Sequence, residues 1–424
     1  MREHDSVRVI YLSTAFPKPE SPDLGPWGLR QARALGRHGA TVLVVSPTTW
    51  MPRWAGRLGV KRATALCPRE HDWDGLRAMY PRWLYTQRGD DADIVYNYPG
   101  IFNALGWVSG RAALLRIVRQ FRPHLIHANH MTPSGVTAWR LGRATGIPFV
   151  LTEHNLKEIE HYRSRPPRRA IGGRVVPAAA RWIALGRPVE REMKLAFPQA
   201  RTVIVPNGTD RPPPELLAAN RPAELGGRLV VCCVAGFYPT KNIPALVRGF
   251  ARAAGTHANA VLRICGDGEQ RVEIERTIRA CGLEQRVTLL GGVSHARAME
   301  EMAGADVFAL VSIQDTYPTV CLEAASVGCP QVWPFDGSVG DRLKDGVHGY
   351  AIDPRSDESI AHALVRLLGD AAARSRMRAA SLGLFEEELS WDVAAPRLVS
   401  VYREVVAEAA ATGSARGPGP TSRP

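Results

Sequence analysis

Cysteine is scarce and unpaired here: seven residues among 424, an odd number with no CxxC spacing. That excludes a disulfide framework and a cysteine zinc site. Cys232, Cys233 and Cys265 lie inside apolar runs and read as small core residues. Long hydrophobic stretches are missing too; none approaches the roughly 18 consecutive apolar residues of a membrane span. The opening MREHDSVRVIYLSTAFP lacks the cleavage site of a signal peptide, so a cytoplasmic location is expected. Acidic residues are thin in the first half. Residues 1–206 carry 31 Lys and Arg against 15 Asp and Glu, whereas the remainder carries 23 against 26. A basic half implies an anionic partner such as a phospholipid surface or phosphorylated carrier, unless its arginines are simply solvated. No RRM-like or helix-turn-helix signature supports nucleic acid.

Two ligand signatures are also wanting. The loop after the first apolar run, STAFPKPESPDLGPWG, lacks the GxGxxG spacing of a dehydrogenase. In Gly266-Asp267-Gly268-Glu269-Gln270-Arg271 an arginine stands where the third glycine belongs, and a lone GxG reads equally as a strand-to-helix turn. Asp91-Ala92-Asp93 has the letters of a cation-holding DxD but sits in a polar segment without that context. His127 and His130 straddle a strand end rather than one helix face, which disfavours a metal pair.

Hydrophobic residues make up 45% and charged residues 22% of the chain, ordinary globular values. Its length suits two domains. Short apolar runs (VRVIYL, TVLVVS, HLIHA, IPFVLT, TVIVP) alternate with helix-period segments, the signature of parallel sheets covered on both faces. Residues 50–100 break this rhythm and read as an insertion rich in Trp and Tyr. A Pro-rich linker begins at 207, and the alternation restarts with RLVVCCVAG, AVLRICG, VTLLGG, DVFALVS and PQVWPF. The expected fold class is α/β, two doubly wound Rossmann-like domains facing a central cleft, where ligands of such sheets bind. The boundaries are 1–206, 207–390, a helix over 391–411 and a disordered tail over 412–424.

Lys241, in AGFYPTKN, stands between a strand and a helix start, where backbone N–H groups and an ammonium make an anion site. Asp315 and Glu323 lie eight residues apart in QDTYPTVCLEAASVGCP. They could grip sugar hydroxyls, or they are acids favoured by a helix macrodipole.

Taken in order, GPWGLRQARALGRHGATVLVVSP, PHLIHANH, GIPFVLTEHN, VIVPNGTD, VAGFYPTKN, RICGDGEQR, VTLLGGV, DTYPTVCLEAASVGCP and DGVHGYAIDP resemble the retaining GT-B glycosyltransferases of family 4. The likeness covers almost all of 7–405, and LSWDVAAPRLVSVYREVV resembles the family's terminal helix that crosses back to the first domain. The resemblance implies a metal-independent transferase with a nucleoside-diphosphate sugar as donor and no further cofactor. The acceptor would be a saccharide, a lipid-linked saccharide or a small natural product. The first domain would be the acceptor side and the second the donor side. By match of position, Glu323 would grip the nucleotide ribose and Asp315 would approach the donor sugar. Lys241 would bind the diphosphate, assisted by the amides of Thr319 and Val320. His154 would approach the donor sugar from the first domain. Gly25 would lie in the loop near the phosphates, and the Val293 segment would meet the base.

Two departures stand out. The first acid is Asp315 rather than Glu, and Gly236 replaces the arginine that normally accompanies Lys241, leaving Arg271 as the substitute cation. An epimerase or hydrolase on the same fold, or a non-catalytic partner subunit, would share the donor pocket. The basic first half implies peripheral membrane contact or an anionic acceptor through Arg163, Arg165, Arg168, Arg169 and Arg174.

Overall fold

The computed structural model describes residues 6–22, 25–57, 61–85, 98–218 and 225–415. The chain divides into two compact units, Met1–Pro206 with Ala394–Pro424, and Asn207–Val393.

In the first unit the apolar runs become β1 (Val7–Leu12), β2 (Ala40–Val45), β7 (Leu125–Asn129), β8 (Phe149–Thr152), β9 (Arg181–Ala184) and β10 (Thr202–Ile204). Between β2 and β7 lie β3 (Thr48–Thr49), β4 (Glu70–Trp73), β5 (Leu76–Met79) and β6 (Arg82–Trp83). Eight of these form one sheet in the order β10-β9-β8-β7-β1-β2-β5-β4, while β3 pairs with β6 apart from it. All pairs in the large sheet are parallel except β4 with β5. Central strands are buried on both faces, so Val9, Ile10, Tyr11 and Leu12 all lie inside. Each such apolar side chain contributes about 1.5–3 kcal/mol by leaving water.

The second unit has β11 (Leu229–Val234), β12 (Ala260–Cys265), β13 (Val287–Gly291), β14 (Val307–Ala309), β15 (Gln331–Pro334) and β16 (Gly349–Ile352). They form a parallel sheet in the order β13-β12-β11-β14-β15-β16. Its core is built largely of Val, Ile, Leu and Ala around Phe237 and Phe250.

Strand order reverses beside β1 in the first sheet and beside β11 in the second. The loops leaving β1 and β7, and those leaving β11 and β14, therefore frame the crevices where doubly wound sheets bind ligands.

Three expectations need correction. Much of 50–100 is not a separate insertion: β5 and β4 extend the main sheet. Their strand EHDW is polar, with alternate residues exposed, because it forms the sheet edge. The helix Pro99–Phe121, 23 residues long, was not anticipated. The terminal helix runs Trp391–Ala415, so residues 412–415 are helical rather than part of a tail; residues 416–424 lie outside the described ones.

Candidate functional site

In the second unit the loops after β11 and β14 are tied together by the Ile313 N–H, which donates to the Thr240 carbonyl at 2.8 Å. Lys241 ends a short 3-10 turn, Pro239–Lys241, ahead of the helix Ile243–Thr256. Asn242 between them takes φ 54° and fastens its amide to the Pro354 carbonyl at 2.6 Å. Asparagine tolerates that left-handed geometry better than most residues. The turn delivers Lys241 Nζ onto both oxygens of Asp315, at 2.8 and 2.7 Å. Two residues 74 apart in sequence thus meet as a charge-assisted, half-buried pair. The ammonium has three donors, and it carries its charge beside a helix start.

That helix is Thr319–Ser326, with Pro318 as N-cap. Thr319 and Val320 are its first two residues, whose N–H groups have no intrahelical carbonyl to bond. Glu323, one turn in, is nearly buried and lies 2.9 Å from His295 Nε2. His295 opens another helix, His295–Ala303, capped by Ser294. Val293 precedes it by two residues, so the Glu323 carboxylate and the Val293 segment share one corner.

Gly236 and Arg271 fare differently from expectation. A Cβ on Gly236 would fall 2.7 Å from the Tyr238 ring. Tyr238 therefore occupies the space into which a longer side chain at 236 would grow. Arg271 is bonded by Nε to Asp267 at 2.9 Å and by a terminal nitrogen to Glu275 at 3.4 Å, and stacks over Phe237. Its guanidinium is already shared by two carboxylates.

In the first unit the loops after β1, β7 and β8 converge. Gly25 starts the helix Pro26–Arg37 with φ 66°, and a Cβ there would lie 2.4 Å from the Ala15 carbonyl oxygen. Only glycine fits both conditions. Two residues on, the Trp27 ring lies 4.0 Å from the His154 ring, centroid to centroid. His154 Nε2 is 2.9 Å from Asn129 Oδ1, to which Tyr11 also donates at 3.3 Å. Tyr11 donates to Gln31 as well, at 2.8 Å. Burial, aided by nearby His130 and His127, pushes the His154 pKa well below its usual value, so the imidazole is neutral near pH 7.

Glu153 organises this corner from below. Fully buried, it accepts from the backbone N–H groups of Met131 at 3.0 Å, His154 at 3.0 Å and Asn155 at 3.3 Å, and pairs with His130 Nδ1 at 2.9 Å. For His130, burial pulls the pKa down but the Glu153 carboxylate outweighs it, and the net shift is upward. His130 holds φ 67°, a sparsely populated conformation that such bonds must secure. Beneath it, His127 is bonded on both nitrogens, to Thr152 Oγ1 at 2.7 Å and to Tyr402 Oη of the terminal helix at 2.6 Å. Burial pushes its pKa down to about 3.

The structure thus brings Lys241 to Asp315, places Thr319 and Val320 at the following helix start, and sets Glu323 beside the Val293 segment. His154 and Gly25 share a second cluster. Sequence reading missed Trp27, His130, Glu153, Tyr238 and His295. The aromatic inside GPWG and the acid and histidine inside TEHN were visible, but their partners were not. Of the arginines expected to face an anion, Arg168 is buried against Glu158 and Arg163 is bonded to Glu192. Asp91 and Asp93 lie outside the described residues. Among the described residues no group of three or more His, Cys, Asp or Glu is placed to hold a metal ion.

The chain as a whole is similar to known proteins. A family model described as glycosyl transferases group 1 matches residues 218–382, and one described as glycosyltransferase family 4 matches 27–211. The chain belongs to the group 1 glycosyltransferases of GT-B fold. It is 28% identical over 313 residues to a D-inositol 3-phosphate glycosyltransferase of Salinispora tropica, a match covering 67% of this chain and 64% of that one. To the alpha-D-kanosaminyltransferase of Streptomyces kanamyceticus it is 26% identical over 345 residues, 72% of this chain and 85% of the relative. Among solved structures, a sucrose-phosphate synthase from Thermosynechococcus elongatus aligns with TM-score 0.75 at 18% identity, covering 95% of this chain and all of that one. The Anabaena protein HepE in complex with UDP-glucose aligns with TM-score 0.65 at 18% identity, covering 96% and 99%. At such identity the structural likeness establishes the fold.

Proposed function

We propose that this protein moves a sugar from a nucleoside-diphosphate sugar to an acceptor hydroxyl, with retention of anomeric configuration and without a metal ion. The observation that carries the reading is the Lys241–Asp315 pair at the start of the helix Thr319–Ser326, with Glu323 one turn further. A leaving diphosphate gathers negative charge as the glycosidic bond breaks. An ammonium and a helix N-terminus are the groups that stabilise it electrostatically. In the structure Asp315 pairs with Lys241. A bound diphosphate would draw the ammonium toward itself and leave the Asp315 carboxylate for the sugar.

Glu323, held in place near His295, would accept from the two ribose hydroxyls, and the Val293 segment would flank the base. His154, neutral at its Trp27-covered position, would hydrogen-bond the donor sugar without adding charge. Retention follows if the acceptor attacks on the face the diphosphate leaves, with a departing phosphate oxygen taking the acceptor proton. No protein base is then required.

One relative's name, D-inositol 3-phosphate glycosyltransferase, supports a hydroxyl-rich acceptor, and another's, alpha-D-kanosaminyltransferase, supports transfer of a sugar. A saccharide, a lipid-linked saccharide and a small natural product are the classes to try, with a cytoplasmic donor pool. The test is a thermal-shift panel of UDP-, GDP-, ADP- and TDP-sugars followed by turnover with and without EDTA. A true donor at 100 times its Kd raises stability by about 2.7 kcal/mol. Product anomer analysis should show retention, and chelation should leave the rate unchanged. Loss of activity in EDTA with recovery in Mn²⁺ would contradict the metal-free reading, and consumption of donor without any acceptor would favour a hydrolase.

A further inference from the structure

The helix Pro99–Phe121 is long and apolar enough by composition to cross a bilayer, yet it packs on the first unit. Its inner face carries Asn103, Gly106, Gly110, Leu114, Ile117 and Val118. A Cβ at Gly106 or Gly110 would already lie 3.2 Å from Trp83. The outer face is the anomaly. Ile101, Leu105 and Val108 fall at i, i+4 and i+7 and are 59%, 48% and 67% exposed. Tyr98 precedes them, exposed. Leu84, also exposed, is pinned beside the helix by its N–H to Ser109 Oγ at 2.8 Å, and exposed Trp50 bonds the neighbouring Trp83 carbonyl at 2.7 Å. Contiguous apolar surface of this kind marks an interaction face.

Charge identifies the occupant. Tyr98–Ile101 face Pro167, Ala170, Ile171 and Arg174 of the helix Pro166–Val175 across an apolar groove of about 340 Å³. Neither helix contains an Asp or Glu, and none occurs anywhere between Asp93 and Glu153. Arg111, Arg116 and Arg119 are exposed on the first helix, and Arg169 and Arg174 on the second. None of these five is paired with a carboxylate among the described residues. An ordinary solvated helix mixes both signs. An apolar stripe with Trp and Tyr at its margin, on helices whose only charged residues are arginines, complements a surface that is apolar and anionic together.

We propose that this face docks the protein onto an anionic phospholipid bilayer, the stripe Ile101–Leu105–Val108 entering the headgroup boundary and the arginines meeting the phosphates. Of the arginine run anticipated above the surface keeps Arg169 and Arg174, since Arg163 and Arg168 are held by glutamates. The proposal needs neither donor nor acceptor and stands apart from the transferase reading.

The test is co-sedimentation of the full chain with vesicles of phosphatidylcholine alone and of phosphatidylcholine mixed with phosphatidylglycerol. Binding is expected to the mixed vesicles only and to weaken with salt. The triple variant Ile101→Ser, Leu105→Ser, Val108→Ser should lose about tenfold or more in partition. The pair Arg169→Gln, Arg174→Gln should lose a comparable amount, since each basic residue contributes about fivefold near an anionic surface. All changes are on exposed positions, and unchanged thermal unfolding confirms intact variants. Absence of binding to mixed vesicles at low salt overturns the proposal, as does a triple variant that binds like wild type. A triple variant that dissociates a self-associated wild type while leaving vesicle partition unaltered would assign the face to a second copy of the chain instead.

Discussion

The two candidate clusters are built on opposite principles. In the first unit His154 rests on buried, mostly uncharged bonds: Asn129 and Tyr11 on one side, and the Glu153-bonded backbone on the other. In the second unit the contact is a partly buried ion pair, Lys241 on Asp315, with side chains 24% and 20% exposed. A buried network rigidifies and fixes one geometry. A single ion pair that still reaches water holds its two partners with fewer bonds than such a network. The difference teaches a division of labour: the first unit presents a multiply bonded surface, and the second leaves its charges in a single pair that the proposed diphosphate would have to open.

The comparison can be broken where the first cluster is most committed. Glu153→Ala should produce the largest effect. It strands the N–H groups of Met131, His154 and Asn155 and removes the partner of His130, which should cost about 3 kcal/mol or more. Urea unfolding measures this, and Glu153→Gln should lose less because the amide oxygen can still accept. A Glu153→Ala variant as stable as wild type would mean the network is ornamental.

Next comes Glu323→Ala, which should weaken free nucleoside diphosphate about tenfold or more, since it removes a charged acceptor for hydroxyls, and should cost about 1 kcal/mol of stability with its His295 bond. Calorimetry would show it; unaltered affinity would move the ribose site elsewhere. A smaller change is expected for Tyr402→Phe. It deletes one hydroxyl, leaves His127 Nδ1 without that partner, and should cost about 1 kcal/mol in unfolding experiments.

The gentlest probe is pH. His127 and His154 are held neutral by burial, so the folded state resists protonation that the unfolded chain accepts. Their contribution is complete above the unfolded histidine value near pH 6.5 and is lost as pH falls toward their folded values. Each can subtract up to about 1.4 kcal/mol per pH unit. His130 runs the other way: its raised pKa adds stability below the unfolded value, lost as pH rises through the folded one. Urea midpoints should therefore drop between pH 6.5 and pH 5 in wild type, values set by the unfolded histidine pKa of about 6.5. A flat profile there would contradict the buried neutral imidazoles.

How much of this was legible depends on whether the signal is local. Strands such as VRVIYL and LVVCCV declare themselves because a buried parallel strand needs a continuous apolar run. Lys241 was legible from its place between a strand and a helix start, whereas the spacing of Asp315 and Glu323 around Pro318 left two readings open and only the family resemblance pointed to their roles. The edge strand EHDW was not, because an edge can be polar on alternate positions. The helix Pro99–Phe121 escaped because its apolar residues lie on both the packed and the exposed face, which blurs the helical period. Pairings across long separations were invisible: His295 with Glu323 and Tyr402 with His127 depend on which elements the fold brings together. Arg271 shows a partner that sequence position did not reveal. Position in the sequence suggested a free cation, and the structure bonds it to Asp267 and Glu275.

The central claim is that Lys241 is the cation that meets the leaving diphosphate. The direct measurement is kcat/KM of Lys241→Ala and Lys241→Arg beside calorimetry of the free nucleoside diphosphate, with Asp315→Asn as the companion. The account predicts a loss of about 10²-fold or more for Lys241→Ala, since a charge-assisted bond of roughly 1.5–3 kcal/mol strengthens as charge develops. Lys241→Arg should recover only part of it, because a planar fork does not take the place of a compact ammonium, and Asp315→Asn should lose turnover while binding the nucleotide nearly as before. A Lys241→Ala protein that turns over like wild type would contradict the account and leave the diphosphate to be held by another group.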